Sequence, residues 1–178
     1  MIIPLLIVIT SKGPVFYRAE RLGRGSRRIR VWKFRSMYSD ADKRLDELLA
    51  SNPSLKAEYD ANFKLASDPR VTPLGRFLRK TSLDEIPQLF NVFSGEMALI
   101  GPRPIVEKEV PYYGDAYKVF SSVKPGITGL WQCSGRSDTD YPRRVALDSY
   151  YVLNWSPWLD IWILFRTVGA VLFMRGAR

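Results

Sequence analysis

Two adjacent carboxylates, Asp84 and Glu85, are the residues whose types and spacing best suit chemistry in this chain. Arg79 precedes them by five positions, and Arg103 follows between two prolines that restrict the backbone around it. An aspartate can accept a phosphoryl group, Mg²⁺ commonly uses one or two protein carboxylates plus substrate phosphates, and cations stabilise phosphate oxygens. The pattern therefore predicts a carboxylate nucleophile beside a metal-binding carboxylate, acting on an anionic substrate.

Two other interpretations of the carboxylate pair stay open. A glycosidase needs two carboxyl groups across a sugar, and neighbours on a helix point about 100° apart, which suits that role poorly. The second interpretation is structural, since Ser82 and Glu85 have the spacing of a capping box at the start of a helix over about 83–93. If Ser82 is the cap, Pro87 should bend this helix; if Asp84 is the cap, Pro87 is harmless.

A predicted strand carries a further cation toward the site. Lys33 and Arg35 alternate with Trp32 and Phe34, so each pair would share one face of a strand. We expect the cations to face phosphate groups; an amphipathic edge strand without a functional role is the alternative.

Composition limits the chemistry that is available. The chain has 178 residues, which favours one domain with a real core. It has no histidine, which excludes Ser-His-Asp and Cys-His triads and histidine-based zinc sites, and the lone Cys133 excludes an intrachain disulfide. The candidate nucleophiles that remain are Asp, Glu, Ser, Thr, Lys and Tyr.

The positive charge is concentrated in one segment. Between Lys12 and Arg35 there are nine basic residues and one acid, so this segment contributes +8 to the net charge of +9. Such a density predicts an anionic partner: nucleic acid, anionic lipid headgroups or a phosphorylated substrate. A solvated basic face is the other interpretation.

Two apolar segments, 2–10 and 161–174, are shorter than the roughly 20 residues of a transmembrane helix. We expect interfacial or re-entrant elements, and three tryptophans at 155, 158 and 162 resemble a membrane-interface belt. Ordinary core elements are the alternative.

The remaining pattern predicts an α+β fold that is mostly helical with a small β-hairpin. Strands over 15–20 and 28–36 flank a glycine-rich turn at 23–26. Helices are expected over about 40–50, 52–62, 73–80, 83–93, 142–153 and from 157 onward, several with a cap residue or a proline at the start.

Seven motifs follow one another in an order that resembles the bacterial sugar transferases, the monotopic phosphoglycosyl transferases. They occupy residues 13–17, 20–23, 33–37, 68–72, 79–88, 101–104 and 124–132. The closing part, 138–178, resembles the branch typified by undecaprenyl-phosphate galactose and glucose phosphotransferases.

The resemblance implies a membrane-associated, monotopic catalytic domain and a two-step reaction. Asp84 would attack the β-phosphate of a UDP-sugar and expel UMP, and undecaprenyl phosphate would then take the sugar phosphate from the aspartyl intermediate. Glu85, with Asp84, would hold Mg²⁺. Cations that match active-site positions of the family, by contact with phosphates or by orienting the carboxylates, are Lys33, Arg79 and Arg103, with Arg35 and Arg136 as further candidates for substrate binding.

By the same resemblance, residues 1–12 are expected to be a shortened re-entrant membrane segment and 13–178 the catalytic domain. The expected partners are the UDP-sugar, undecaprenyl phosphate and the membrane interface at the cytoplasmic face of the bacterial inner membrane; nucleic acid is not expected, and a homodimer is left open. Two rival functions are a basic nucleic-acid-binding module, which leaves the carboxylate pair unexplained, and a catalytically silent scaffold on a membrane surface.

Overall fold

The computed structural model describes residues 2–62, 65, 67–135 and 139–172 and has an α+β fold that is mostly helical. This confirms the predicted fold class. Within this part of the chain the α-helices are α1 (Ile2–Thr10), α2 (Ala41–Ser51), α3 (Pro53–Asn62), α4 (Pro73–Lys80), α5 (Leu89–Phe93), α6 (Val110–Tyr113), α7 (Ala116–Ser121), α8 (Leu130–Ser134), α9 (Tyr141–Leu153) and α10 (Pro157–Leu172). The strands are β1 (Phe16–Leu22), β2 (Arg28–Phe34), β3 (Ala98–Ile100) and β4 (Gly126–Thr128).

The predicted hairpin is confirmed. Strands β1 and β2 are antiparallel, with Phe16 opposite Phe34 and Leu22 opposite Arg28. A short 3-10 turn joins them, and Gly25 at its centre adopts φ 64, a left-handed conformation that glycine tolerates best. Strand β2 packs on the segment that carries Asp84 and Glu85.

Helix α4 approaches the chain just after β2 very closely. Thr72 caps the helix by accepting a hydrogen bond from the Gly75 amide at 2.9 Å, as its type and position predict. A β-carbon at Gly75 would overlap the backbone carbonyl of Ser36. The absent side chain therefore lets α4 bring Arg79 beside the end of β2.

The predicted helix over 83–93 is wrong in its first half. Residues Leu83–Gln88 form a 3-10 helix, and α5 begins only at Leu89. Ser82 adopts φ 58 and its side chain caps nothing, while Asp84 lies inside the 3-10 helix, so neither capping register is correct. Pro87 lacks the amide hydrogen that a regular α-helix would need, which agrees with this tighter, interrupted start.

A second, parallel sheet, which the sequence did not predict, holds the loop that contains Arg103. Strands β3 and β4 pair in parallel, and the Gly101 amide donates to the Thr128 carbonyl at 2.9 Å. Beyond the loop, the Leu22 amide donates to the Ile105 carbonyl at 2.8 Å. The loop is thus fastened both to β4 and to the end of β1.

The apolar segments near the two ends of the described chain each bury one face. Ile7 of α1 is 1% exposed and packs with Phe34 and Leu78, and Ile163 of α10 is fully buried. Other apolar side chains of these helices are exposed, for example Ile2 at 74% and Trp158 at 78%. Among the described residues, no helix combines the length and the hydrophobicity that crossing a bilayer requires.

Candidate active site

Glu85 lies at the centre of a three-residue ion cluster. Its Oε1 accepts a hydrogen bond from Lys33 Nζ at 2.7 Å and one from Arg103 Nη2 at 3.2 Å. Burial alone would raise the pKa of Glu85, but the attraction and hydrogen bonds of the two cations outweigh burial and lower the pKa well below its usual value. Glu85 is therefore an anion at neutral pH that fixes two cations, one from β2 and one from the loop after β3.

Asp84 is in a different environment from its neighbour. Its side chain is buried, with 7% of the residue exposed, and no hydrogen bond from the described residues reaches its carboxylate. Burial, together with repulsion from Glu85, raises its pKa, although Lys33, Arg79 and Arg103 oppose this rise. The Asp84 carboxylate is buried, more basic and without a hydrogen-bond donor from the described residues. It is therefore better suited to attack an electrophile than the Glu85 carboxylate, which two cations hold.

Arg79 reaches the site from α4 and is held by a neighbouring hydroxyl. Its Nε donates to Ser36 Oγ at 2.9 Å, and its charge acts on Asp84. Burial lowers the pKa of Arg79, and Asp84 partly offsets that cost. The arginine therefore stays near the nucleophile candidate without forming an ion pair with it. Sequence reasoning missed Ser36, although it lies in the motif that includes Lys33.

Asn91 forms hydrogen bonds with the backbone of β2, the strand that carries Lys33. Its Oδ1 accepts from the Trp32 amide at 3.0 Å, and its Nδ2 donates to the Arg30 carbonyl at 2.9 Å. A fully buried amide side chain thus replaces a missing strand partner and positions β2 against α5. Sequence reasoning missed this residue as well, because an asparagine inside a predicted helix carries no signal of a distant partner.

The structure describes one of the two further candidates for substrate binding, Arg35, and the substrate-binding role of both stays a prediction. The side-chain hydrogen bonds of Arg35 go to the Lys12 carbonyl at 2.7 Å and to the carbonyl and hydroxyl of Ser11 at 2.7 and 2.8 Å, at the C-terminal end of α1. This buried cation stabilises that helix end, and β2 stops before it, so Arg35 does not continue the strand face of Lys33 as predicted. Arg136 lies outside the described residues, and its role stays a prediction.

The carboxylate pair fits a hard divalent cation that is shared with a substrate. Both hydrogen bonds to the Glu85 side chain use Oε1, so Oε2 and the Asp84 oxygens provide oxygen ligands of the kind that Mg²⁺ prefers. In the described part of the chain, no group of three or more acidic or cysteine side chains could form a metal cage. Substrate phosphates and water would therefore have to supply most of the ligands.

Comparison with known proteins identifies the family of this chain. A family profile described as bacterial sugar transferase matches residues 1–174. This chain belongs to the bacterial sugar transferase family. The chain is 51% identical over 179 residues to the undecaprenyl-phosphate galactose phosphotransferase of Salmonella typhimurium, an alignment that covers 98% of this chain.

Other relatives extend the comparison within the bacterial sugar transferases. The chain is 49% identical over 177 residues to the UDP-galactose-lipid carrier transferase of Erwinia amylovora, across 99% of its own length. It is 45% identical over 177 residues to the exopolysaccharide production protein ExoY of Rhizobium meliloti, again across 99% of its length. The alignments cover 38% and 37% of the Salmonella and Erwinia proteins and 78% of ExoY, so the chain spans less than half the length of the first two.

Proposed function

We propose that this chain transfers a hexose 1-phosphate from a UDP-sugar to undecaprenyl phosphate, with Asp84 as the nucleophile. The observation that carries the proposal is the contrast between the two adjacent carboxylates. Glu85 is fixed by Lys33 and Arg103, whereas the buried Asp84 carboxylate is bound by none of the described residues. The names of the relatives, which include phosphotransferases of undecaprenyl-phosphate lipids, support the substrate classes.

In the first step an Asp84 carboxylate oxygen attacks the β-phosphorus of the donor. The new bond is a carboxyl–phosphate anhydride, the bond from that phosphorus to the bridging oxygen breaks, and UMP leaves with the electron pair. Lys33, Arg79 and Arg103 would orient the phosphates and offset their charge, which otherwise repels a carboxylate. In the second step a phosphate oxygen of the lipid attacks the same phosphorus and releases the Asp84 carboxylate.

Glu85 and Asp84 would together hold Mg²⁺. When bound, Mg²⁺ supplies Lewis-acid neutralisation of the phosphate oxygens. The protein's own contribution is to keep Glu85 ionised and fixed, so that a carboxylate oxygen is available beside the nucleophile. We infer that the two cations on Glu85 Oε1 set this orientation.

The apolar surface beside the site suits a lipid acceptor. Ile86 directly follows Glu85 and is 44% exposed, and Phe90 and Phe93 of α5 are 61% and 85% exposed. Neighbouring exposed apolar side chains of this size mark a surface that contacts another apolar phase or molecule. We propose that this surface and α1 contact the membrane at the cytoplasmic face of the bacterial inner membrane, as a monotopic domain.

The test is UMP release from UDP-galactose and UDP-glucose with Mg²⁺, with and without undecaprenyl phosphate. Without the lipid we expect one equivalent of UMP per enzyme, with a mass increase of one hexose phosphate on Asp84. Asp84→Asn should lose both signals, whereas Asp115→Asn, which removes an exposed carboxylate, should keep them. A covalent adduct that forms equally well in Asp84→Asn would refute the assignment of the nucleophile.

A further inference from the structure

Arg21 lies on the same face of the hairpin as Lys33. In the register of the two strands, Tyr17 is opposite Lys33, Ala19 is opposite Val31, and Arg21 is opposite Ile29. Because side chains alternate along a strand, Arg21 lies on the face of the hairpin from which Lys33 reaches Glu85. None of the roles assigned above includes Arg21.

The charges around Arg21 are those of the candidate active site. After burial, which is the largest influence and lowers its pKa, the strongest neighbour is Arg103, which lowers it further. Glu109 and Glu85 act in the opposite direction. The hydrogen bond from the Leu22 amide to the Ile105 carbonyl at 2.8 Å holds the end of β1 against the loop that carries Arg103. Arg21 is therefore a half-buried cation at the strand end that this loop contacts, and a bound anion would offset the cost of burying its charge.

The nearby carboxylates already have other partners. Glu109 accepts from the Tyr141 hydroxyl at 3.0 Å, from Arg144 Nη1 at 3.3 Å and from the Val106 amide at 2.8 Å. The side chain of Arg21 forms no ion pair with a described residue, and its hydrogen bond, from Nη1, goes to the carbonyl of the adjacent Glu20 at 2.6 Å. Most donors of the guanidinium group are thus uncommitted within the described part of the chain.

An anionic ligand would resolve this imbalance. The cations that act on the carboxylate pair are Arg21, Lys33, Arg79 and Arg103. They outnumber the two carboxylates Asp84 and Glu85 by two charges, and the third nearby carboxylate, Glu109, is already paired with Arg144. A planar guanidinium group with free donors binds a phosphate through paired hydrogen bonds, which a lysine cannot do.

We propose that Arg21 binds a phosphate group in this site, together with Arg103. The inference rests on the proposed function, which supplies two sources of phosphate: the diphosphate of the nucleotide-sugar donor and the monophosphate of the lipid acceptor. The two half-reactions distinguish these sources, because the donor reacts with the free enzyme and the acceptor reacts with the covalent intermediate.

The experiment compares Arg21→Gln and Arg21→Lys with the wild type. The matched control is Arg30→Gln, which removes an exposed cation from the opposite face of the same hairpin. The donor step is measured as UMP release from UDP-galactose without lipid, and the acceptor step as loss of the accumulated adduct after undecaprenyl phosphate is added. We expect Arg21→Gln to slow one of these steps about 10- to 100-fold, in line with the loss of a charge-assisted hydrogen bond.

Arg21→Lys should be affected less than Arg21→Gln, since it keeps the charge but loses the forked geometry, and Arg30→Gln should stay within about 2-fold of the wild type. A slower donor step identifies the nucleotide diphosphate as the ligand, and a slower acceptor step identifies the lipid phosphate. If Arg21→Gln matches Arg30→Gln in both steps while the wild type is active, the inference about Arg21 is wrong and the proposed function stands.

A binding measurement tests the role of Arg21 independently of catalytic activity. Calorimetric titration of pyrophosphate should show weaker binding to Arg21→Gln than to the wild type and Arg30→Gln, whereas uridine, which has no phosphate, should bind all three equally. Absence of UMP release from the wild type refutes the proposed function, whereas equal pyrophosphate affinity in all variants, together with donor and acceptor steps equal to those of Arg30→Gln, refutes the role of Arg21. A loss of uridine binding in Arg21→Gln would show a structural role instead and would also overturn the inference.

Discussion

Replacing Glu85 with glutamine should destabilise the folded protein, because it removes the anion that two cations share. Lys33 Nζ and Arg103 Nη2 lie 2.7 and 3.2 Å from the same oxygen, so the two nitrogens are at most about 6 Å apart. At an effective dielectric constant of about 20, two unit charges at that distance repel by about 3 kcal/mol. We therefore expect Glu85→Gln to lower the free energy of unfolding by about 2–4 kcal/mol at neutral pH.

The measurement is urea unfolding followed by circular dichroism, with Glu107→Gln as the matched control. Glu107 accepts from Arg28 at 2.8 Å, but both side chains of this pair are more than half exposed. Its loss should cost less than about 1 kcal/mol, since solvent screens exposed pairs. If the two variants lose equal stability, the reasoning that Glu85 holds a buried cation cluster together is refuted.

The effect of Glu85→Gln should also depend on pH. The folded pKa of Glu85 is depressed below its usual value of 4.5, because Lys33 and Arg103 outweigh the effect of burial. A carboxylate with a depressed folded pKa contributes stability that is complete above the unfolded pKa and is lost as the pH falls toward the folded pKa. The difference between wild type and Glu85→Gln should therefore be largest near neutral pH and shrink on acidification below about pH 4.5. A difference that grows on acidification would contradict this sign.

Two further substitutions test the contacts that position the site. Asn91→Ala removes a fully buried amide side chain and leaves the partly buried Trp32 amide and Arg30 carbonyl of β2 without their partner, so it should cost about 2–4 kcal/mol in urea unfolding. The exposed Asn154→Ala should cost less than about 1 kcal/mol. Gly75→Ala introduces a β-carbon that overlaps the Ser36 carbonyl and should lower the thermal midpoint of unfolding, whereas Gly169→Ala, whose β-carbon meets no atom within 4 Å, should leave it unchanged or raise it slightly. If Asn91→Ala is as stable as the wild type, the hydrogen bonds of Asn91 do not support β2. If the two glycine variants have equal midpoints, the close approach of Gly75 to Ser36 does not constrain α4.

Local features of the fold were predictable where neighbouring residues set the conformation. Thr72 before Pro73 predicted the start of α4, and the glycine-rich turn predicted the hairpin. The 3-10 helix over Leu83–Gln88 was not predicted, because Ser82 and Glu85 have the spacing of a capping box although Ser82 is left-handed here. The spacing of residues shows only which local hydrogen bonds a segment could form. The conformation that this segment adopts also depends on its packing against β2.

The residue types alone identified the chemical groups of the candidate site, namely two adjacent carboxylates among fixed cations, because reactivity resides in side chains that can be read directly. They left the two carboxylates equivalent. The fold distinguishes them: residues 33 and 103, distant in the chain from residue 85 and from one another, both meet Glu85, while Asp84 is buried without such partners. Contacts across such separations depend on the path of the whole backbone, and no local propensity or spacing rule contains that path.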